Sequence, residues 1–220
     1  MLHISNLHYR YPGPNGAALT VPAFSLAASE HAIVLGPSGC GKSTLLHLLS
    51  AILKPQAGSV TVAGTDIGAL TARAADRWRG RHIGFLPQKL ALVSSLSARE
   101  NLLFAAYAND TPDDAARADA LLDALGLTDK ATARPHQLSQ GQQQRVAIGR
   151  ALFNKPVLLL ADEPTANLDD AACKGVTDLL IAQAAEAGAS LVIATHDARV
   201  LAALPRATLL RLPITARSAD

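Results

Sequence analysis

The sequence predicts an α/β fold with a mostly parallel sheet, an N-terminal antiparallel β region and an inserted helical subdomain. Three observations carry this reading. Short runs such as His31–Leu35 and Val157–Ala161 are apolar at nearly every position, as strands buried on both faces must be. They alternate with stretches of helical pattern. Between Lys89 and Asn154 the strand signals stop and helix-start signals replace them.

Taken in order, Leu2–Tyr11 alternates as a strand should, with Leu7, Tyr9 and Tyr11 on one face. Pro12-Gly13-Pro14-Asn15-Gly16 is a turn cluster, and Leu19–Leu26 fits a second strand. His31–Leu35 leads into a glycine-rich loop and a helix from about Lys42 to Leu53. Val60–Ala63 and Ile83–Leu86 read as further strands. Ser97 and Glu100 have capping-box spacing. Thr111, Pro112, Asp113 and Asp114 combine a cap, a first-turn proline and acidic residues near the helix dipole. Ser139 and Gln142 repeat the box spacing before a helix to about Phe153. The strands Val157–Ala161 and Leu191–Thr195 flank a helix from about Asp170 to Ala187. The 220 residues are read as a single domain, with a core of 1–88 and 155–220 and a helical subdomain of 89–154.

Composition narrows the function classes. A net charge of +2 gives no electrostatic case for nucleic acid or an anionic membrane surface. The longest apolar stretch, Leu45–Leu53, is broken by His47 and Ser50, well short of the roughly 20 apolar residues a spanning helix needs. The N-terminus lacks the basic-then-apolar design of a secretory signal, so a soluble, cytoplasmic chain is expected. Cys40 and Cys173 form no metal or disulfide pattern.

Gly36-Pro37-Ser38-Gly39-Cys40-Gly41-Lys42-Ser43-Thr44 matches the phosphate-loop pattern G-x-x-x-x-G-K-[ST] in full, between an apolar strand and a helix. Its glycines let backbone N–H groups curl around phosphate oxygens, and the helix N-terminus adds its positive end. Lys42 is expected to reach the β- and γ-phosphates, Ser43 to ligate Mg²⁺ and Thr44 to hold the α-phosphate. An alkyl group on Cys40 is expected to collide with bound phosphates. The pattern implies the core of a P-loop nucleoside triphosphatase.

The strand Val157–Ala161 runs into Asp162 and Glu163. Ligands of open α/β sheets sit beyond the carboxyl ends of the strands. Asp162 is therefore expected to face Mg²⁺ through water, and Glu163 to act as general base for the attacking water.

Leu138-Ser139-Gln140-Gly141-Gln142 resembles the L-S-G-G-Q signature of ABC ATPases, with Gln140 in place of the first glycine. The resemblance extends from about Leu7 to Pro213. It implies that Ser139, Gly141 and Gln142 contact the γ-phosphate bound by a second copy of the chain. Gln88 stands at the position of the glutamine that contacts Mg²⁺ and the attacking water. Ala166-Asn167-Leu168-Asp169 resembles the D-loop, and His196 occupies the switch-histidine position beside the γ-phosphate. Tyr11 matches the aromatic that stacks on adenine, with Tyr9 as the alternative ring. Glu163-Pro164-Thr165-Ala166-Asn167-Leu168-Asp169 is similar to the E-P-T-G-N-L-D of lipoprotein-releasing and macrolide-exporter ATPases, with Ala166 replacing the glycine.

The resemblance implies an ATP- and Mg²⁺-dependent ATPase subunit that closes as a dimer and powers an integral membrane permease. Such a subunit is peripheral on the inner face of the cell membrane and has no nucleic-acid partner. The apolar segment Leu90-Ala91-Leu92-Val93 lies where the family receives a short permease helix. Two other readings are a regulatory ATPase acting on a membrane protein without transport, and a soluble ABC ATPase of DNA repair or translation. The latter usually carries coiled coils or nucleic-acid-binding insertions, and this sequence shows neither heptads nor a basic patch.

Overall fold

A computed structural model describes residues 1–13, 16–107 and 114–213. In chain order its first half holds β1 (Leu2–Arg10), β2 (Ala18–Leu26), β3 (His31–Leu35), α1 (Lys42–Leu49), β4 (Ala57–Val62), β5 (Thr65–Asp66), α2 (Ala72–His82) and β6 (Ile83–Leu86). There follow α3 (Ala98–Tyr107), α4 (Ala115–Ala124), α5 (Gln140–Leu152), β7 (Leu158–Asp162), α6 (Asp170–Glu186), β8 (Ser190–Thr195), α7 (Ala198–Ala203) and β9 (Thr208–Arg211).

Two sheets result. The antiparallel sheet runs β2-β1-β4-β5 and the parallel sheet runs β6-β7-β8-β3-β9. Alternation along the parallel strands divides the interior in two. Ile33, Leu159, Leu191 and Ile193 pack toward helices α3 to α7. Ala32, Val34, Leu158, Leu160 and Val192 face α1 and the antiparallel sheet. The register matters for function. Leu86 lies beside Ala161, Asp162 beside Ala194 and Leu35 beside Thr195, so β3, β6, β7 and β8 end side by side.

Strand β1 shifts phase midway. Leu2 and Ile4 are buried, then Leu7 and Tyr9, because Asn6 takes a left-handed φ of 46° and the register with β4 slips between Ser5 and His8. This bulge keeps both halves of the strand facing the core. Gly58 makes room for it, since a Cβ there would stand 2.2 Å from the Asn6 carbonyl oxygen.

Four elements lie beyond the sequence expectations: α2, β5, α7 and β9. Helix α1 stops at Leu49, not Leu53, because Ala51 adopts a left-handed φ of 54° and the Ile52 and Leu53 N–H groups both turn back to the His47 carbonyl. Strand β4 starts at Ala57, earlier than Val60. Both expected capping boxes form. Ser97 N–H donates to Glu100 at 2.7 Å and Glu100 N–H to Ser97 at 3.2 Å. Of the acidic helix start, Thr111, Pro112 and Asp113 lie outside the described residues. Asp114 caps α4 by accepting the Arg117 N–H at 2.8 Å. No described helix is long and apolar enough to cross a membrane.

Candidate active site

The loop after β3 wraps the amino end of α1. Gly39 and Gly41 have φ of 80° and 101°, a region that L side chains rarely enter. Gly41 also starts α1 with no side-chain cap, so the first N–H groups of the helix open onto the loop. Lys42 is buried and its Nζ donates to the carbonyls of Gly36 at 2.8 Å and Pro37 at 3.1 Å. The same Nζ pairs with Glu163 Oε1 at 3.0 Å. A cavity of about 360 Å³ opens here, lined by Tyr11, Ser38, Gly39, Gly41, Lys42, Ser43, Thr44, Gln88, Glu163 and His196 among others. The Tyr11 and Thr44 hydroxyls lie 3.3 Å apart. Tyr9 is buried in the core and meets Tyr11 edge to face at 5.1 Å, so only Tyr11 presents its ring to the cavity. The expectation that both rings share a strand face fails because β1 ends at Arg10.

The two carboxylates at the end of β7 have different surroundings. Asp162 is buried and does not line the cavity, and its Oδ1 has no hydrogen-bond partner. Burial pushes its carboxyl up, a Ser43 hydrogen bond works against that, and the Glu163 charge adds to it. An orphaned carboxylate oxygen beside a hydroxyl is the kind of donor set a hard divalent cation takes.

Glu163 leaves the strand with a left-handed φ of 46°, and its N–H donates to the Ala194 carbonyl at 2.8 Å. Such a conformation costs about 1–3 kcal/mol in a non-glycine residue and persists only where the surroundings enforce it. Its Oε2 accepts the Thr195 hydroxyl at 3.0 Å, and its Oε1 faces His196 Nδ1 at 2.9 Å. A carboxylate only accepts, so Nδ1 carries the proton. Burial pushes the Glu163 carboxyl up, but hydrogen bonds from His196 and Lys42, the Lys42 charge and the Thr195 hydroxyl together hold it below the ordinary glutamate value.

Ser139, Gly141 and Gln142 are not among the residues lining this cavity. Ser139 caps α5, accepting the Gln142 N–H at 3.3 Å, while the Gln142 side chain accepts the Ser139 N–H at 2.9 Å. The capped helix start is exposed, and a Cβ at Gly141 would meet nothing within 4 Å. The D-loop stretch is held at its far end, where Asp169 caps α6 by accepting the Ala172 N–H at 2.8 Å.

Residues 19–166 match the family model of the ABC transporter. The chain belongs to the ABC transporter family. It is 44% identical to a lipoprotein-releasing system ATP-binding protein, LolD 1, of Rhodopirellula baltica, over 90% of this chain and 88% of that protein. It is 43% identical to a macrolide export ATP-binding/permease protein, MacB, of Bradyrhizobium diazoefficiens, over 84% of this chain and 28% of that protein. Among solved structures, the ATP-binding cassette MJ0796 in a dimeric post-hydrolysis state with ADP and Pi aligns at a TM-score of 0.86. That alignment has 31% identity and covers 100% of this chain and 97% of that one. The chain is an ATP-binding subunit of an ABC transporter, similar to those of lipoprotein-releasing and macrolide-export systems. It is an ATPase that uses ATP with Mg²⁺.

One expectation for this ABC subunit is corrected. Cys40 is buried, and its thiol turns away from the cavity into the apolar cluster beneath the antiparallel sheet. Its sulfur fills the space beside Gly36, where a Cβ would come within 2.4 Å of it. An alkyl group on Cys40 would therefore displace the loop from within. Gly36 and Pro37 also contribute through their carbonyls, which hold Lys42, and do not line the cavity. The segment Leu90–Val93 is half built into the fold. Leu90 and Leu92 pack on the helical core, Arg150 holds the carbonyls of Leu90 and Ala91, and Asn101 bonds the Val93 backbone in both directions.

Two residues at the site were not foreseen. Thr195 is fully buried at the end of β8 and touches Glu163, which its register with β3 and β7 signals only once the sheet order is known. Asp197 accepts from the Thr165 hydroxyl at 3.0 Å and from Arg199, which also reaches Asp170 and the Leu168 carbonyl. This tether ties the D-loop to the segment after His196.

Proposed function

We propose that ATP lies with its adenine against Tyr11 and its phosphates on the loop Gly36–Thr44, where Lys42 meets the β- and γ-phosphates. Glu163 takes the proton of the attacking water, and His196 supports the γ-phosphate and holds the Glu163 carboxylate in place. Ser43, Asp162 and Gln88 would hold Mg²⁺, which when bound neutralises phosphate charge and polarises the γ-phosphate. Residues 89–154 serve as a helical subdomain carrying the signature. Ser139, Gly141 and Gln142 complete the site of a second copy, so two chains enclose two nucleotides between them.

The observation that supports this best is a split. Lys42, Gln88, Glu163 and His196 converge on one cavity, while a capped helix start suited to an anion stands exposed outside it. ATP binding closes the dimer and hydrolysis releases it, a two-state element biased by ligand. The partner that receives this movement is an integral membrane permease of the kind named in the relatives, with the chain peripheral on its cytoplasmic side. Leu90–Val93 lies at that contact.

Mixed lesions test the arrangement. Ser139→Arg and Lys42→Ala variants are each expected to be inactive. Their mixed dimer has one site with both lesions and one with neither, so partial ATPase activity is expected to return. No recovery from a proven heterodimer would contradict a site shared between two chains.

A further inference from the structure

We infer that Gln144 is a positioning residue for Glu163, which ties the signature helix to the hydrolytic carboxylate within one chain. The inference rests on the reading of Glu163 as the general base. Gln144 is a buried polar residue in the middle of α5, 5% exposed. A buried amide is destabilising unless it is hydrogen-bonded. Its Nε2 donates to the carbonyl of Pro164, the residue directly after Glu163.

That carbonyl matters because of what precedes it. Glu163 is held in the left-handed region, and the turn after it must be fixed from more than one side. In front, the Glu163 N–H is anchored to Ala194. Within the turn, the Ala166 N–H donates to the Glu163 carbonyl at 3.1 Å. Pro164 has no N–H to donate, so its own backbone polar group is its carbonyl, and Gln144 supplies the donor to it. Without that bond the Pro164 carbonyl loses its anchor on α5, and the turn that carries Glu163 is held less firmly from that side.

The helix that carries the amide is well suited to transmit position. Its start is fixed by the Ser139–Gln142 box, and Gln144 follows Gln140 by four residues, on the same face. Gln140 and Gln144 both line a cavity of about 50 Å³ together with Gln88, Glu163 and Ala166. Gln140, which departs from the signature, and Ala166, which departs from E-P-T-G-N-L-D, thus both line the cavity that Gln144 and Pro164 line. A shift of the helix start, whose outer end is placed to meet a nucleotide on the second copy, is passed through one side chain to Glu163.

A double-mutant comparison on the full chain tests this. Gln144→Met keeps the length and removes the donor. Its kcat is expected to fall about tenfold or more, since small misplacements of reacting groups are costly, while KM for ATP stays within about twofold. In a Glu163→Gln background the same change is expected to add no further loss, because the group it positions is gone. A parent-like kcat for Gln144→Met, or an equal loss in both backgrounds, would overturn the inference. The second result would show a merely structural residue. If Gln144→Met does not fold, Gln144→Asn is read by the same criteria, since it keeps the amide but withdraws it by one methylene. Parent-like turnover in Glu163→Gln alone would instead remove the general-base reading, which keeps the two failures distinct.

Discussion

Asp162 and Glu163 are neighbours on one strand end, yet their surroundings push them in opposite directions. Burial raises Asp162, whereas Glu163, also raised by burial, is brought down by His196, Lys42 and Thr195. The difference begins in the backbone. Asp162 ends β7 in regular geometry, and the left-handed φ of Glu163 swings its carboxylate up to Lys42 and His196. Asp162→Asn should therefore lose Mg²⁺-dependent ATP binding in a titration with fluorescent nucleotide, and retention of parent affinity would contradict its metal role. At the same scale, the burial of Cys40 makes a definite statement about its chemistry. Maleimide should label neither Cys40 nor Cys173 rapidly in the folded chain, with or without Mg-ATP, and both in denaturant. Fast native labelling of Cys40 would mean that the loop opens. The phosphate-loop residues were readable because their chemistry is contiguous in sequence. Thr195 and Gln144 were not, because each acts through a partner 20 or more residues away, and neither was the link of Asp197 to Thr165, which spans 32.

At the scale of elements, close approach decides what the site can be. Gly84 on β6 lets α5 lie against the strand, since a Cβ there would come within 2.4 Å of the Ala151 carbonyl oxygen. Backbone cannot yield as a side chain can, so Gly84→Ala should destabilise the fold by about 1–3 kcal/mol. A thermal melt reads this as a lower Tm, and an unchanged Tm would contradict the packing of α5 on β6. The elements missed in the sequence have a common physical reason. Helix α2 buries only Ala75 and Trp78 and is otherwise rich in arginine, so its apolar stripe is too thin to show as a period. Its start was signalled by Thr71, which accepts the Ala74 N–H. Strand β9 is an exposed edge strand without apolar alternation. The buried strands β3, β7 and β8 were visible because both faces are covered, which leaves a nearly unbroken apolar run in the sequence. The phase shift in β1 went unread because its one signal is Asn6, a residue type that enters the left-handed region more readily than most, inside an otherwise alternating strand.

Across the whole molecule, contacts between distant segments hold the site in one piece. Asp197 is held well below the ordinary aspartate value, chiefly by the Arg199 hydrogen bonds, with burial opposing and Thr165 assisting. A carboxylate lowered in this way contributes stability that is present above its unfolded value and is lost as pH falls through the folded one. The parent's advantage over an Arg199→Met variant should be level near neutrality and shrink as pH drops below about 4, in denaturant titrations across pH. An advantage that grows with acid would contradict the pairing. Further out, Leu92→Glu should leave ATPase activity of the isolated chain intact and abolish stimulation by the permease. Loss of folding would show that the packing of Leu92 on the helical core is its main role. The general-base role of Glu163 is tested by size-exclusion chromatography of Glu163→Gln with and without Mg-ATP. General-base loss costs about 10²–10⁴ in rate while leaving the phosphate loop intact. The variant should bind Mg-ATP, hydrolyse it very slowly and elute as a closed dimer holding two nucleotides. Parent-rate turnover, or a monomer at saturating Mg-ATP, would contradict the account.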